Sequence, residues 1–76
     1  MTVEVYTTKT CPYCFAAKDL LQKNKVTYKE YDVSFNPEMR RKLMNKTGLR
    51  TVPQVYINGK HVGGFTDLVN YFLANQ

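Results

Sequence analysis

The sequence predicts an α/β fold: a mixed four-stranded sheet in the order β-α-β-α-β-β-α, flanked by three helices. Three observations lead there. Two short β-prone runs in the first half are separated by a helical pattern, and such a β-α-β unit forms a parallel, right-handed crossover. Asn58-Gly59, between two later runs, is the strongest short hairpin signal and makes those strands antiparallel. A last amphipathic stretch supplies a third helix to cover the sheet.

Each element has its own signal. Residues 2–6, with Val3, Val5 and Tyr6, read as the first strand. Pro12 fits the first position of a helix, where no backbone N–H is needed, and this makes Cys11 the N-cap. That helix runs to about Asn24, with Ala16, Leu20 and Leu21 facing the sheet. Residues 26–33 alternate through Val26, Tyr28, Tyr31 and Val33 as a second strand. Asn36-Pro37-Glu38 opens a second helix with a capping side chain, a first-position proline and a first-turn acid. Met39, Leu43 and Met44 keep helical spacing, and Gly48 stops it. After Thr51-Val52-Pro53, residues 54–57 form a third strand and residues 60–63 return as a fourth. Gly63-Gly64 breaks the chain. Residues 67–74 form the last helix, with Leu68, Val69, Phe72 and Leu73 on one stripe. No repeat or linker interrupts this order, so residues 1–76 are expected to be one domain.

Composition narrows the function. With 43% apolar residues in 76, the chain can form a small packed core. Its longest apolar stretches are too short to span a membrane. Met1-Thr2-Val3-Glu4 has no basic segment ahead of a long apolar one, so no secretory signal is read and a cytoplasmic monomer is expected. Eleven Lys and Arg against six Asp and Glu give a net charge of +5, a field that attracts acidic partners or a small anion. The basic residues are scattered apart from Arg40-Arg41-Lys42, and no nucleic-acid motif is present.

The chemistry lies in Cys11-Pro12-Tyr13-Cys14, at the junction of a strand and a helix. A disulfide closing so short a loop hardly constrains the unfolded chain, so it is a poor staple. Zinc needs about four ligands, and a second Cys or His pair is missing: His61 stands alone, some fifty residues away. The N-cap position explains the pair better. The Cys11 sulfur can accept from the free N–H groups of Tyr13 and Cys14, and the helix dipole adds positive potential. Thiols so placed have pKa values lowered to roughly 3.5–7.5. Cys11, near solvent, attacks a disulfide; Cys14, more buried and one turn on, resolves the mixed disulfide. Lys9, two residues upstream of Cys11, is a further source of positive charge.

With these motifs in place, the chain resembles the glutaredoxins over nearly its whole length. Cys11-Pro12-Tyr13-Cys14 is similar to that family's dithiol motif, Thr51-Val52-Pro53 to its TVP segment, and Gly63-Gly64 with Thr66-Asp67 to its glycine-pair motif. The resemblance implies a thioredoxin fold with Pro53 in the cis form beside the cysteines. It implies a glutathione-dependent thiol–disulfide oxidoreductase, with NADPH-linked glutathione reductase upstream; from the missing ligands, no metal is expected. Its substrates would be protein disulfides, through both cysteines, and glutathionylated proteins, through Cys11 alone.

The resemblance also assigns glutathione contacts. Tyr13 packs against the tripeptide, and Val52, within Thr51-Val52-Pro53, pairs with its backbone like an added strand. Arg40 meets the glycine carboxylate. Gly63 and Gly64 allow close approach, and Thr66 and Asp67 hold the γ-glutamyl end through helix N–H groups and a carboxylate. The family usually carries a glutathione-contacting Lys or Arg three residues before the first cysteine; here that residue is Thr8, and Lys9, one place nearer, is the candidate for that contact. Neighbouring strand residues point opposite ways. Two rival readings remain: an electron donor served by thioredoxin reductase, for instance toward ribonucleotide reductase, and a dimer sharing a [2Fe–2S] cluster through Cys11 and glutathione.

Overall fold

The computed structural model describes residues 1–75. Its elements are β1 (Val3–Thr7), α1 (Pro12–Lys23), β2 (Lys29–Asp32), α2 (Pro37–Thr47), β3 (Gln54–Ile57), β4 (Lys60–Gly63) and α3 (Phe65–Ala74). They form one sheet in the order β2-β1-β3-β4. β1 pairs parallel with β2 across the α1 crossover, and antiparallel with β3. β3 and β4 form the expected hairpin, in which Asn58 (φ 53°) and Gly59 (φ 80°) both take the left-handed conformation that such a two-residue turn requires.

Alternation along β1 sorts the two faces. Val3, Val5 and Thr7 are buried on one side; Glu4 and Tyr6 point to the other. The first side carries the core, where Val3, Val5, Val55 and Ile57 meet Ala17 and Leu21 of α1 and Leu68 of α3. On the second side Tyr6 stacks on Tyr31 with ring centroids 4.9 Å apart and meets the edge of Tyr56 at 5.8 Å. α2 covers these rings, burying Leu43 and setting the Lys46 ammonium 4.5 Å from the centre of the Tyr56 ring.

Four expectations need correction. The fully buried stripe of α1 is Cys14, Ala17 and Leu21; Leu20 is half-buried and packs against the core as expected, whereas Ala16 is only half-buried. Cys14 sets this phase, because Ala16 lies about 200° further round the helix while Ala17 and Leu21 return to the same side. β2 is shorter than residues 26–33: Val26 and Tyr28 pack on the core without joining the ladder. α3 starts two residues earlier than residue 67, at Phe65. Leu73 is 62% exposed, and Tyr71 rather than Leu73 joins Phe72 against the core.

Candidate active site

Cys11 is the N-cap of α1, with extended backbone (φ −123°, ψ 103°) and Pro12 following. Its Sγ accepts from the N–H of Cys14 at 3.1 Å. The N–H of Tyr13, the other donor expected, does not reach it: an N-cap side chain here bonds the third helical position. Cys11 and Cys14 form a disulfide with Cα atoms 5.2 Å apart. Cys14 is 1% exposed and Cys11 8%. Cys11 is therefore the more accessible sulfur-bearing residue, although more sheltered than its place at a helix tip suggested.

The Val52–Pro53 peptide is cis, and the Val52 carbonyl oxygen lies 3.5 Å from the Cys11 Sγ. Beside it lies a groove of about 260 Å³ lined by Tyr13, Thr51, Val52, Pro53, Gly64, Phe65, Thr66 and Asp67. Tyr13 is 65% exposed, and its ring centre is 6.0 Å from that of Phe65. Three separate stretches thus converge on one surface. Phe65 was missed by sequence reasoning; its place inside the Gly63-Gly64-Phe65-Thr66-Asp67 run was the available signal.

The glycine pair sets the far wall. Gly63 has φ +123°, and a Cβ there would lie 2.7 Å from Asp67 Cγ. Gly64 is the N-cap of α3 and has no side chain to accept from the first-turn N–H groups. Asp67 Oδ2 instead accepts from the Gly64 N–H at 3.0 Å, fixing where the helix starts. Asp67 and the first turn of α3 both line the groove.

Lys9 and Arg40 lie elsewhere. They line a second hollow of about 340 Å³ with Thr8, Thr10, Ser34 and Phe35. Lys9 Nζ is 3.5 Å from Asp32 Oδ2, and its backbone N–H donates to Ser34 Oγ at 2.8 Å. Hydrogen bonds from Ser34, first of all, and then the Lys9 charge hold the Asp32 carboxyl below its ordinary range. His61, to which no role was given, is exposed, with Nε2 2.6 Å from Gln54 Oε1.

Comparison with known proteins agrees with this geometry. The Glutaredoxin family model matches residues 3–62. Glutaredoxin 3 of Escherichia coli strain K12 is 42% identical over 66 residues, covering 87% of this chain and 80% of that protein. A glutaredoxin of Pseudomonas aeruginosa is 48% identical over 66 residues, covering 87% and 79%. The crystal structure of a buckwheat glutaredoxin–glutathione complex superposes with a TM-score of 0.89 at 28% identity, covering 96% of this chain and 69% of that one. A cysteine pair capping the first helix of a thioredoxin-like fold, matched by relatives of this kind along most of its length, places the chain in the glutaredoxin family of thiol–disulfide oxidoreductases.

Proposed function

We propose that glutathione is the reductant and that the groove beside Cys11 receives it. One observation carries this reading. The groove joins, within about 260 Å³, the chain at Val52 and Pro53, an aromatic wall at Tyr13 and the first turn of α3, whose N-cap residue Gly64 has no side chain to occupy its N–H groups. Glutathione is an extended peptide with a thiol at its centre and a carboxylate and amine at its γ-glutamyl end. Its backbone can pair with that of Val52 as an added strand. The first-turn N–H groups at Thr66 and Asp67 suit its α-carboxylate, and Asp67 suits its amine. Past Cys11 its glycine carboxylate would extend toward the hollow that holds Lys9 and Arg40.

In the exchange, the Cys11 thiolate attacks a disulfide sulfur and expels the other as a thiolate. With a protein disulfide, Cys14 then attacks Cys11, releasing the reduced protein and closing the Cys11–Cys14 disulfide. Two glutathione molecules restore both thiols and leave as glutathione disulfide. With a glutathionylated protein, Cys11 takes the glutathione and a second glutathione removes it, so Cys14 is dispensable.

The test is a glutathione-coupled reductase assay on the wild type, Cys11→Ser and Cys14→Ser, with thioredoxin reductase as the competing reductant. Cys14→Ser is expected to keep deglutathionylation and to lose most dithiol reduction; Cys11→Ser loses both. Equal inactivity of the two variants toward a glutathione mixed disulfide would overturn the assignment of roles. Faster reduction by thioredoxin reductase than by glutathione would overturn the choice of reductant.

A further inference from the structure

Phe35 is the most exposed large apolar residue of the described chain, at 86%. It stands in the loop between β2 and α2, on the wall of the second hollow, facing the Thr8-Lys9-Thr10 segment that leads into Cys11. Lys9 Nζ is 6.0 Å from its ring centre. Arg40 lines the same hollow and makes no ion pair among the described residues. The nearby acid is Asp32, already held by Ser34 and by the 3.5 Å contact with Lys9. The hollow therefore joins an exposed aromatic ring to surplus positive charge, next in the chain to the attacking cysteine.

We propose that this hollow docks a short acidic and apolar segment of the disulfide-bearing protein, with Phe35 as its apolar anchor and Arg40 and Lys9 as its charge contacts. The proposal rests on Cys11 being the sulfur that attacks protein disulfides, and is independent of the choice of reductant. Thr10 adjoins Cys11 and lines the hollow, so a chain bonded to the Cys11 sulfur reaches it within a few residues, at about 3.3–3.6 Å per extended residue. Charge complementarity selects an acidic occupant. The exposed ring selects one that also brings apolar surface, since aromatic residues act as anchors at protein interfaces.

The experiment uses pre-reduced protein in single turnover, so no glutathione is present and a failure here is distinct from a failure of the glutathione reading. The substrates are disulfide-linked peptides whose cysteine is flanked by Asp-Phe, Lys-Phe, Ser-Phe or Asp-Ser, together with a small uncharged disulfide. The variants are Phe35→Ser, Arg40→Glu and Lys23→Glu. Lys23 is an exposed residue in the last turn of α1, and its reversal changes the net charge as much as that of Arg40. At low salt the wild type is expected to reduce the Asp-Phe peptide about tenfold faster than the Lys-Phe peptide. Arg40→Glu abolishes this preference and Lys23→Glu keeps most of it. Phe35→Ser slows Asp-Phe several-fold but leaves Asp-Ser and the small disulfide unchanged. Equal peptide rates in the wild type would overturn the proposal. So would equal losses in Arg40→Glu and Lys23→Glu, or an unaltered Asp-Phe rate in Phe35→Ser.

Discussion

The backbone N–H of Cys14 donates to the Sγ of Cys11 at 3.1 Å, so the residue that resolves the mixed disulfide also helps hold the attacking sulfur. The bond uses main chain rather than side chain. Replacing Cys14 by Ser therefore leaves the donor in place, and the two roles of the pair can be separated by mutation. The bond also adds to the dipole of α1, and both favour negative charge on that sulfur.

Asp67 holds two tasks that substitution can divide. Its Oδ2 accepts from the Gly64 N–H, and its charge is the proposed partner of the glutathione amine. Asp67→Asn retains an acceptor and loses the charge, while Asp67→Ala loses both. Urea unfolding is expected to show Asp67→Asn close to the wild type and Asp67→Ala destabilised by about 1 kcal/mol. The KM for glutathione should rise several-fold in both. An unchanged KM in Asp67→Asn would leave Asp67 with capping alone.

Gly63 cannot carry a side chain where it stands. A methyl group there meets the Asp67 carboxylate, and φ is +123°. Gly63→Ala is expected to cost roughly 1–3 kcal/mol, which lowers Tm by several degrees in a domain of this size. The displaced Asp67 should also weaken glutathione binding. Thermal unfolding and the KM for glutathione check both parts.

Acid should weaken the fold through Glu30. The Thr7 hydroxyl donates to Glu30 Oε2 at 2.6 Å, and Lys18 Nζ is 3.0 Å from the same oxygen. The Thr7 bond, ahead of the Lys18 contacts, holds the Glu30 carboxyl below its ordinary value of 4.5. A depressed native pKa stabilises the folded state above the unfolded value, and that contribution is lost as pH falls through the native one. Thr7→Val removes the main cause. It is expected to be about 1 kcal/mol less stable than the wild type at pH 7, with the gap narrowing below pH 4.5. Urea titrations across this range give the comparison.

Local signals made some elements legible and left others obscure. α2 was readable at both ends: Asn36 Oδ1 accepts from the Met39 N–H at 3.1 Å, and Gly48 closes the helix at φ 73°. The hairpin was equally plain, because Asn58-Gly59 is what a left-handed two-residue turn requires. β2 is shorter than its alternation suggests because alternation reports burial, and Val26 and Tyr28 are half-buried by packing rather than by strand pairing. The start of α3 was hidden because its cap is made backward, from Asp67 to Gly64. At the site, contiguous motifs disclosed the groove. Lys9 and Arg40, assigned to glutathione by resemblance, line the second hollow with Phe35 rather than the groove itself. Phe35 itself gave no signal, since a lone aromatic residue in a loop has no periodicity to betray it.

The mechanism requires an acidic Cys11 thiol, and that acidity can be read directly from the pH dependence of alkylation of the reduced Cys14→Ser variant. The rate is predicted to reach half its maximum at least one unit below the 8.5 or so of a free thiol. A midpoint at or above that ordinary value would mean that the α1 N-terminus does not activate this sulfur, and would contradict the mechanism.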